Sequence, residues 1–171
     1  MKSYYNIIVR FHTFYFTAKK ERSMTEINKK TDLLNKRYNY LTMETEAAYH
    51  DASLKLGLSD SVSLILYTLC NHEGECLLGD ICRLAGMRKQ TLNSAIRKLE
   101  AEGTVYMKAA DGKKKYVCLT EKGKVLSEKT VLKLIRIENE ILESWTEEER
   151  ELYVKLAEKY LKSFREKIKN L

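Results

Sequence analysis

The stretch from Leu77 to Gly123 constrains this chain more than any other, because two short helical patterns meet at Gly86 and a lysine-rich hairpin pattern follows at once. The first helical pattern, about Leu78 to Ala85, is expected to bury Ile81, Leu84 and Ala85. The second, about Lys89 to Glu102, sets Leu92, Ala95, Ile96 and Leu99 on one face. Gly103 closes it. Alternation from Val105 to Met107, an Asp111-Gly112 turn and the run Lys115 to Leu119 then predict a hairpin. A helix pair followed by a hairpin is the pattern of a winged helix-turn-helix, which carries side chains into DNA grooves.

The remainder of the chain favours helix. There is no proline among its 171 residues and only 7 glycines, so little interrupts a helical run. With 44% apolar residues it can bury one ordinary core, and 32% charged residues argue against a membrane protein or a disordered one. The expected class is mainly α (α+β): a winged helix-turn-helix with a two-stranded β wing, flanked by long N- and C-terminal dimerisation helices.

Charge is unevenly distributed. The net charge is +4 over residues 1–58, −4 over 59–82, +6 over 83–119 and +1 over 120–171, so most of the total of +7 sits in the window holding the second helix and the hairpin. That coincidence favours a polyanion over a merely solvated face. Lys89, Gln90, Thr91, Asn93, Ser94, Arg97 and Lys98 are left facing outward, with no acid in the first two turns. Glutamine and asparagine pair with adenine edges, arginine with guanine, and serine or threonine with phosphates or either base. Lys108, Lys113, Lys114 and Lys115 gather at the hairpin tip, where they would meet phosphates or a minor groove.

Four regions follow from the pattern. Residues 1–23 hold three of the four phenylalanines, and this leader either packs on a partner subunit or is a poorly ordered extension upstream of a start at Met24. Residues 24–58 form an N-terminal dimerisation helix, striped by Leu34, Tyr38, Leu41, Thr45, Ala48 and Ala52 and stopped at Gly57. Residues 59–120 form the DNA-binding domain, opening with Ser59 as N-cap of a helix carrying Val62, Ile65, Leu66 and Leu69. Residues 121–171 supply two C-terminal dimerisation helices, about 121–142 and 147–170. The second opens on the capping box Thr146-Glu-Glu-Glu149 and carries the stripe Leu152, Leu156, Tyr160, Phe164 and Ile168. Apolar faces at both ends of one chain imply a homodimer.

Other function classes fare worse. Cys70, Cys76, Cys82 and Cys118 contain no C-x-x-C pair, and His12, His50 and His72 are scattered, so no zinc pattern and no cofactor are expected. Cys82 and Cys118 fall at apolar-facing positions. Cys70 and Cys76, flanking His72-Glu-Gly-Glu75, are better placed as reactive thiols or half of a metal site, though a solvated loop is the plainer reading. The apolar triplet Ile7 to Val9 is cut off by Arg10 and His12, so no secretory signal is expected and the chain reads as cytoplasmic. No catalytic constellation is visible, which argues against an enzyme. A winged helix serving as a protein-interaction module or antirepressor is the alternative, but it predicts acids on the second helix and a neutral wing.

In this order and spacing the motifs resemble the MarR family of winged-helix transcriptional regulators over residues 30–168. The resemblance rests on Leu56-Gly-Leu-Ser59, Ile81-Cys-Arg-Leu-Ala85, Thr91 to Gly103, Asp111-Gly-Lys and Leu119-Thr-Glu-Lys-Gly123, with Ile96-Arg-Lys-Leu-Glu-Ala-Glu-Gly103 the clearest part. It implies a two-fold dimer, acting as a repressor on a pseudo-palindromic operator of double-stranded DNA, with Lys89, Gln90, Thr91, Asn93, Ser94 and Arg97 toward the major groove. Half-sites would lie about 10 bp apart, one helical turn. Two positions depart from the family pattern. Lys113 stands where the family usually has a wing-tip arginine, and Arg88 occupies the N-cap of the second helix, where Ser or Thr would cap better, so that either the helix start is looser or Arg88 itself reaches phosphate. The resemblance also implies a response to a small aromatic ligand, to an oxidant through a cysteine, or to a metal, and a ligand would sit in a cleft lined by Tyr38, Tyr49, Leu66, Tyr67 and Leu126.

Overall fold

The computed structural model describes residues 26–112 and 114–171, so the leader 1–23 and Lys113 lie outside the described residues. Helix α1 (Glu26–Lys55) runs without a break, and Gly57 stops it by taking φ +72, a conformation that costs glycine nothing. Contacts divide the chain into two compact units, Met1–Ala47 and Ala48–Leu171. The described part of the first is α1 up to Ala47, along which Leu34, Tyr38 and Leu41 are exposed.

The second unit is built around α2 (Asp60–Cys70). Ser59 caps it, its hydroxyl accepting from the Val62 N–H at 3.5 Å. Ile65, Leu66 and Leu69 are fully buried, each stabilising the fold by about 1.5–3 kcal/mol relative to exposure. Around α2 pack β1 (Glu75–Leu77), α3 (Leu78–Leu84), α4 (Lys89–Ala101), β3 (Lys115–Leu119), α5 (Glu121–Lys129) and α6 (Val131–Glu143). β2 (Val105–Ala109) follows α4 and packs on it, and α7 (Glu147–Ile168) ends the chain.

The sheet has three antiparallel strands in the order β1-β3-β2, so the predicted two-stranded wing is joined by a third strand. Glu75 pairs with Cys118, and Cys118 with Tyr106, which puts the three side chains in one row on one face. Three residues of β1 are too few for alternation to be read from sequence.

Two further expectations are corrected. Leu84 is exposed rather than buried, because the short α3 turns only the Ile81 and Ala85 face inward and Leu84 lies about a quarter turn away. The helix expected over residues 121–142 is two helices, broken at Thr130, whose hydroxyl donates to the Leu126 carbonyl at 2.6 Å. Ser127, Thr130 and Val131 are all buried there, so tertiary packing overrides a pattern that locally reads as one helix.

Thr146 does form the capping box, accepting from the Glu149 N–H at 3.2 Å while the Glu149 carboxylate accepts from the Thr146 N–H at 2.9 Å. Along α7 no residue is buried, and Leu152, Leu156, Tyr160 and Phe164 stand exposed in a row. Among the described residues no helix is long and apolar enough to cross a membrane.

Candidate nucleic-acid interface

The turn into α4 is made at Gly86, with φ +57, and is supported by the Cys82 thiol, which donates to the Met87 carbonyl at 3.3 Å. Arg88 is the N-cap of α4 and makes no side-chain capping bond. The first turn therefore presents backbone N–H groups beside the exposed cations Arg88 and Lys89, with no acid among them. Such a helix end favours an anion.

α4 is anchored by Leu92, Ala95, Ile96 and Leu99, all buried. That leaves Lys89, Gln90, Thr91, Ser94, Arg97 and Lys98 exposed together, with Asn93 half-buried at the edge of the face. Lys98 is shared with Glu102 at 3.9 Å.

A clamp joins this helix to the wing. The Thr120 hydroxyl donates toward the Gly103 carbonyl at 2.7 Å and the Thr104 carbonyl at 3.1 Å, and accepts from the Gly123 N–H at 3.0 Å. A Cβ at Gly123 would run into the Thr104 carbonyl oxygen and touch Leu119. The Leu119-Thr-Glu-Lys-Gly123 motif thus has a mechanical meaning, since it draws the end of α4, the return strand and the start of α5 together.

The wing is not uniformly free to meet DNA. Lys108 Nζ lies 3.2 Å from a Glu75 carboxylate oxygen and 5.7 Å from the centre of the Tyr116 ring, and Glu75 holds its ammonium above the usual lysine range. Lys114 and Lys115 are exposed. Glu75 was not apparent from sequence, because it belongs to the acidic window and reaches Lys108 only across the sheet. Nothing local in the sequence signals that pairing.

The thiol candidates are overturned. Cys76 is buried within β1 and Cys70 is half-buried, and burial pushes both thiols up, the reverse of what a reactive thiolate needs. Cys118 is buried and points its thiol toward Glu75 at 3.6 Å. Among the described residues no group of three or more metal-ligating side chains converges.

The five residues assigned to a ligand cleft have different surroundings. Tyr38 belongs to the first unit, Leu66 is sealed in the core, and Leu126 packs against that core. Tyr49 and Tyr67 converge on a residue the sequence did not single out, Glu138 of α6, at 2.7 and 2.6 Å.

Comparison with known proteins agrees with this geometry. The MarR family model matches residues 56–115, from the end of α1 to the start of β3. Among curated proteins none matches this sequence. Solved structures do. A MarR family transcriptional regulator from Silicibacter pomeroyi DSS is similar at 19% identity and a TM-score of 0.65, covering 85% of this chain and 98% of its own. MepR of S. aureus in complex with DNA has 21% identity and a TM-score of 0.56, covering 74% and 94%. BpsR of Bordetella bronchiseptica, whose DNA binding is regulated by 6-hydroxynicotinic acid, has 22% identity and a TM-score of 0.54, covering 77% and 98%. The chain thus carries a segment, residues 56–115, that matches the MarR family, and its fold is similar to that of solved MarR-family regulators, a winged helix-turn-helix.

Proposed function

We propose that this protein is a sequence-specific transcriptional regulator that binds double-stranded DNA as a homodimer, places one α4 in each half of a pseudo-palindromic operator, and acts as a cytoplasmic repressor. The observation that carries the reading is α4 itself. Four buried apolar residues lock one face to the core, and the opposite face offers Lys89, Gln90, Thr91, Ser94 and Arg97 with no acid in the first turn. Asn93, Lys98 and Arg88 border that face, and Lys114 is exposed at the wing; Lys113, its neighbour in sequence, is assigned with it to the same function.

The division of labour follows from chemistry. Gln90, Asn93 and Arg97 read base edges, whereas Arg88, Lys89, Lys98, Lys113 and Lys114 hold phosphates. Two solved relatives support the two halves of the reading, MepR through its DNA complex and BpsR through regulation by an aromatic compound. A small aromatic ligand is the corresponding proposal here.

Selection of bound duplexes from a random pool, followed by gel-shift titration at rising salt, tests the reading. The expected outcome is a two-fold consensus whose log affinity falls with log salt at a slope near −0.9 for each phosphate neutralised. Weak binding to every duplex with no salt dependence would instead mark the winged helix as a protein-interaction module.

A further inference from the structure

Away from α4 and the wing, Glu138 is tied to two other elements at once. Its two carboxylate oxygens accept separate hydrogen bonds, one from the Tyr49 hydroxyl at 2.7 Å and one from the Tyr67 hydroxyl at 2.6 Å. Tyr49 lies near the end of α1, Tyr67 on α2 and Glu138 on α6. Phenol-to-carboxylate bonds this short are charge-assisted, and so stronger than neutral ones. Burial, followed by Glu138, pushes both phenols upward, Tyr67 to about 12. Both phenols therefore keep their protons, and remain donors, throughout the neutral range.

The placement of this brace matters because of what lies on either side of it. α2 packs against α4, the proposed reading helix. α6 leads through Ser144 and Trp145 to α7, whose exposed stripe is the proposed dimer face. The chain breaks at Thr130, so the direction of α6 is not inherited from α5. Instead α6 is held at its first residue, where Val131 is fully buried, and again at Glu138, about 10 Å along at 1.5 Å per residue. Between these points α6 buries no other residue fully, Leu132, Leu134 and Ile135 being half-buried as it packs on α2 and α5, so removing the second loosens the far half of α6 and allows a small pivot about the first.

A small pivot has a large reach. α7 is about 33 Å long at 1.5 Å per residue, so a rotation of about 6° moves its far end by roughly 3 Å. That is close to the rise of one base pair, about 3.4 Å. We propose that the Tyr49–Glu138–Tyr67 brace sets the separation of the two reading helices in the dimer, and thereby the half-site spacing the protein accepts. This rests on the dimeric reading above, and Glu138 acts in it as a positioning residue that touches no DNA.

The test uses the full-length protein and a ladder of duplexes. Each carries the selected half-site twice, at centre-to-centre spacings stepped by one base pair around about 10 bp. The parent is expected to show one spacing optimum, losing about tenfold or more in affinity one step away, the scale of a mismatched base pair. Glu138→Gln should flatten or move that optimum by at least one base pair, while the half-site consensus and the dimer measured by sedimentation stay unchanged. Tyr67→Phe, which keeps the ring and removes one bond, should shift it in the same sense and covers the case of a poorly folding Glu138 variant. An optimum identical to the parent's in a folded, dimeric variant overturns the brace. A parent that is monomeric, or that selects no consensus, overturns the functional reading instead, and the brace with it.

Discussion

Single residues in this fold act through what their neighbours forbid. Gly123 is the clearest case, because α5 starts against the Thr104 carbonyl and has no room there for a methyl group. Gly123→Ala is expected to cost about 1–3 kcal/mol, the usual cost of overpacking. Gly79→Ala is the matched control: a Cβ there meets nothing within 4 Å, so alanine should leave stability equal or raise it by up to about 1 kcal/mol through its helix propensity. Thermal unfolding of both variants decides the point. Tyr67 supplies a second residue-scale expectation. Burial, then Glu138, pushes its pKa up to about 12, above the ordinary tyrosine value of about 10, so the folded protein holds that proton more tightly than the unfolded chain. The associated stability is complete below pH 10 and is lost as pH rises toward 12. Urea midpoints measured across that range should fall in the parent, and fall less steeply in Tyr67→Phe.

At the scale of elements, the proposed function divides α4 and the wing into residues that read bases and residues that hold phosphates. Arg97→Ala and Gln90→Ala should each cost about 1–3 kcal/mol and relax the consensus at one position, whereas Lys114→Ala should weaken all duplexes alike. Competition gel shifts with mutated operators distinguish the two patterns, and equal losses on every duplex for all three would reduce α4 to a phosphate clamp. Glu75 belongs to this scale too, because it reaches across the sheet to hold Lys108. Glu75→Gln should release that lysine to the backbone and steepen the log-log salt slope by about 0.9, one further ion. Its contribution could not be read from the chain. The basic window begins at residue 83, and the acid that neutralises part of it arrives from β1 through strand pairing.

At the scale of the molecule, the exposed rows on α1 and α7 are the outstanding feature, since large apolar side chains in such rows mark surfaces that another surface covers. Tyr160 and Phe164 stack in parallel on α7 with ring centres 6.0 Å apart, in the middle of its stripe. If the proposed dimer uses this stripe, Leu156→Glu or Tyr160→Glu is expected to convert it to monomer and abolish binding to a two-site operator. Sedimentation velocity beside gel shifts on one-site and two-site duplexes measures both effects. A variant still dimeric would place the interface elsewhere.

Most of the local order was legible because local rules governed it. Ser59 and Thr146 cap where their oxygens reach the first free N–H groups, Gly57, Gly86, Gly103 and Gly112 sit where φ turns positive, and the spacing of Leu92, Ala95, Ile96 and Leu99 identified the inner face of α4. The sequence by itself determined the helix-turn-helix, the hairpin and the concentration of positive charge, since each depends on residues within a turn or two of one another. Only the tertiary structure decided the rest: the third strand, the break at Thr130, the pairing of Lys108 with Glu75, and the meeting of Tyr49 and Tyr67 on Glu138. Those contacts join residues up to 89 positions apart, and whether burial or a carboxylate waits at the far end is settled by packing, which leaves no period in the chain to read.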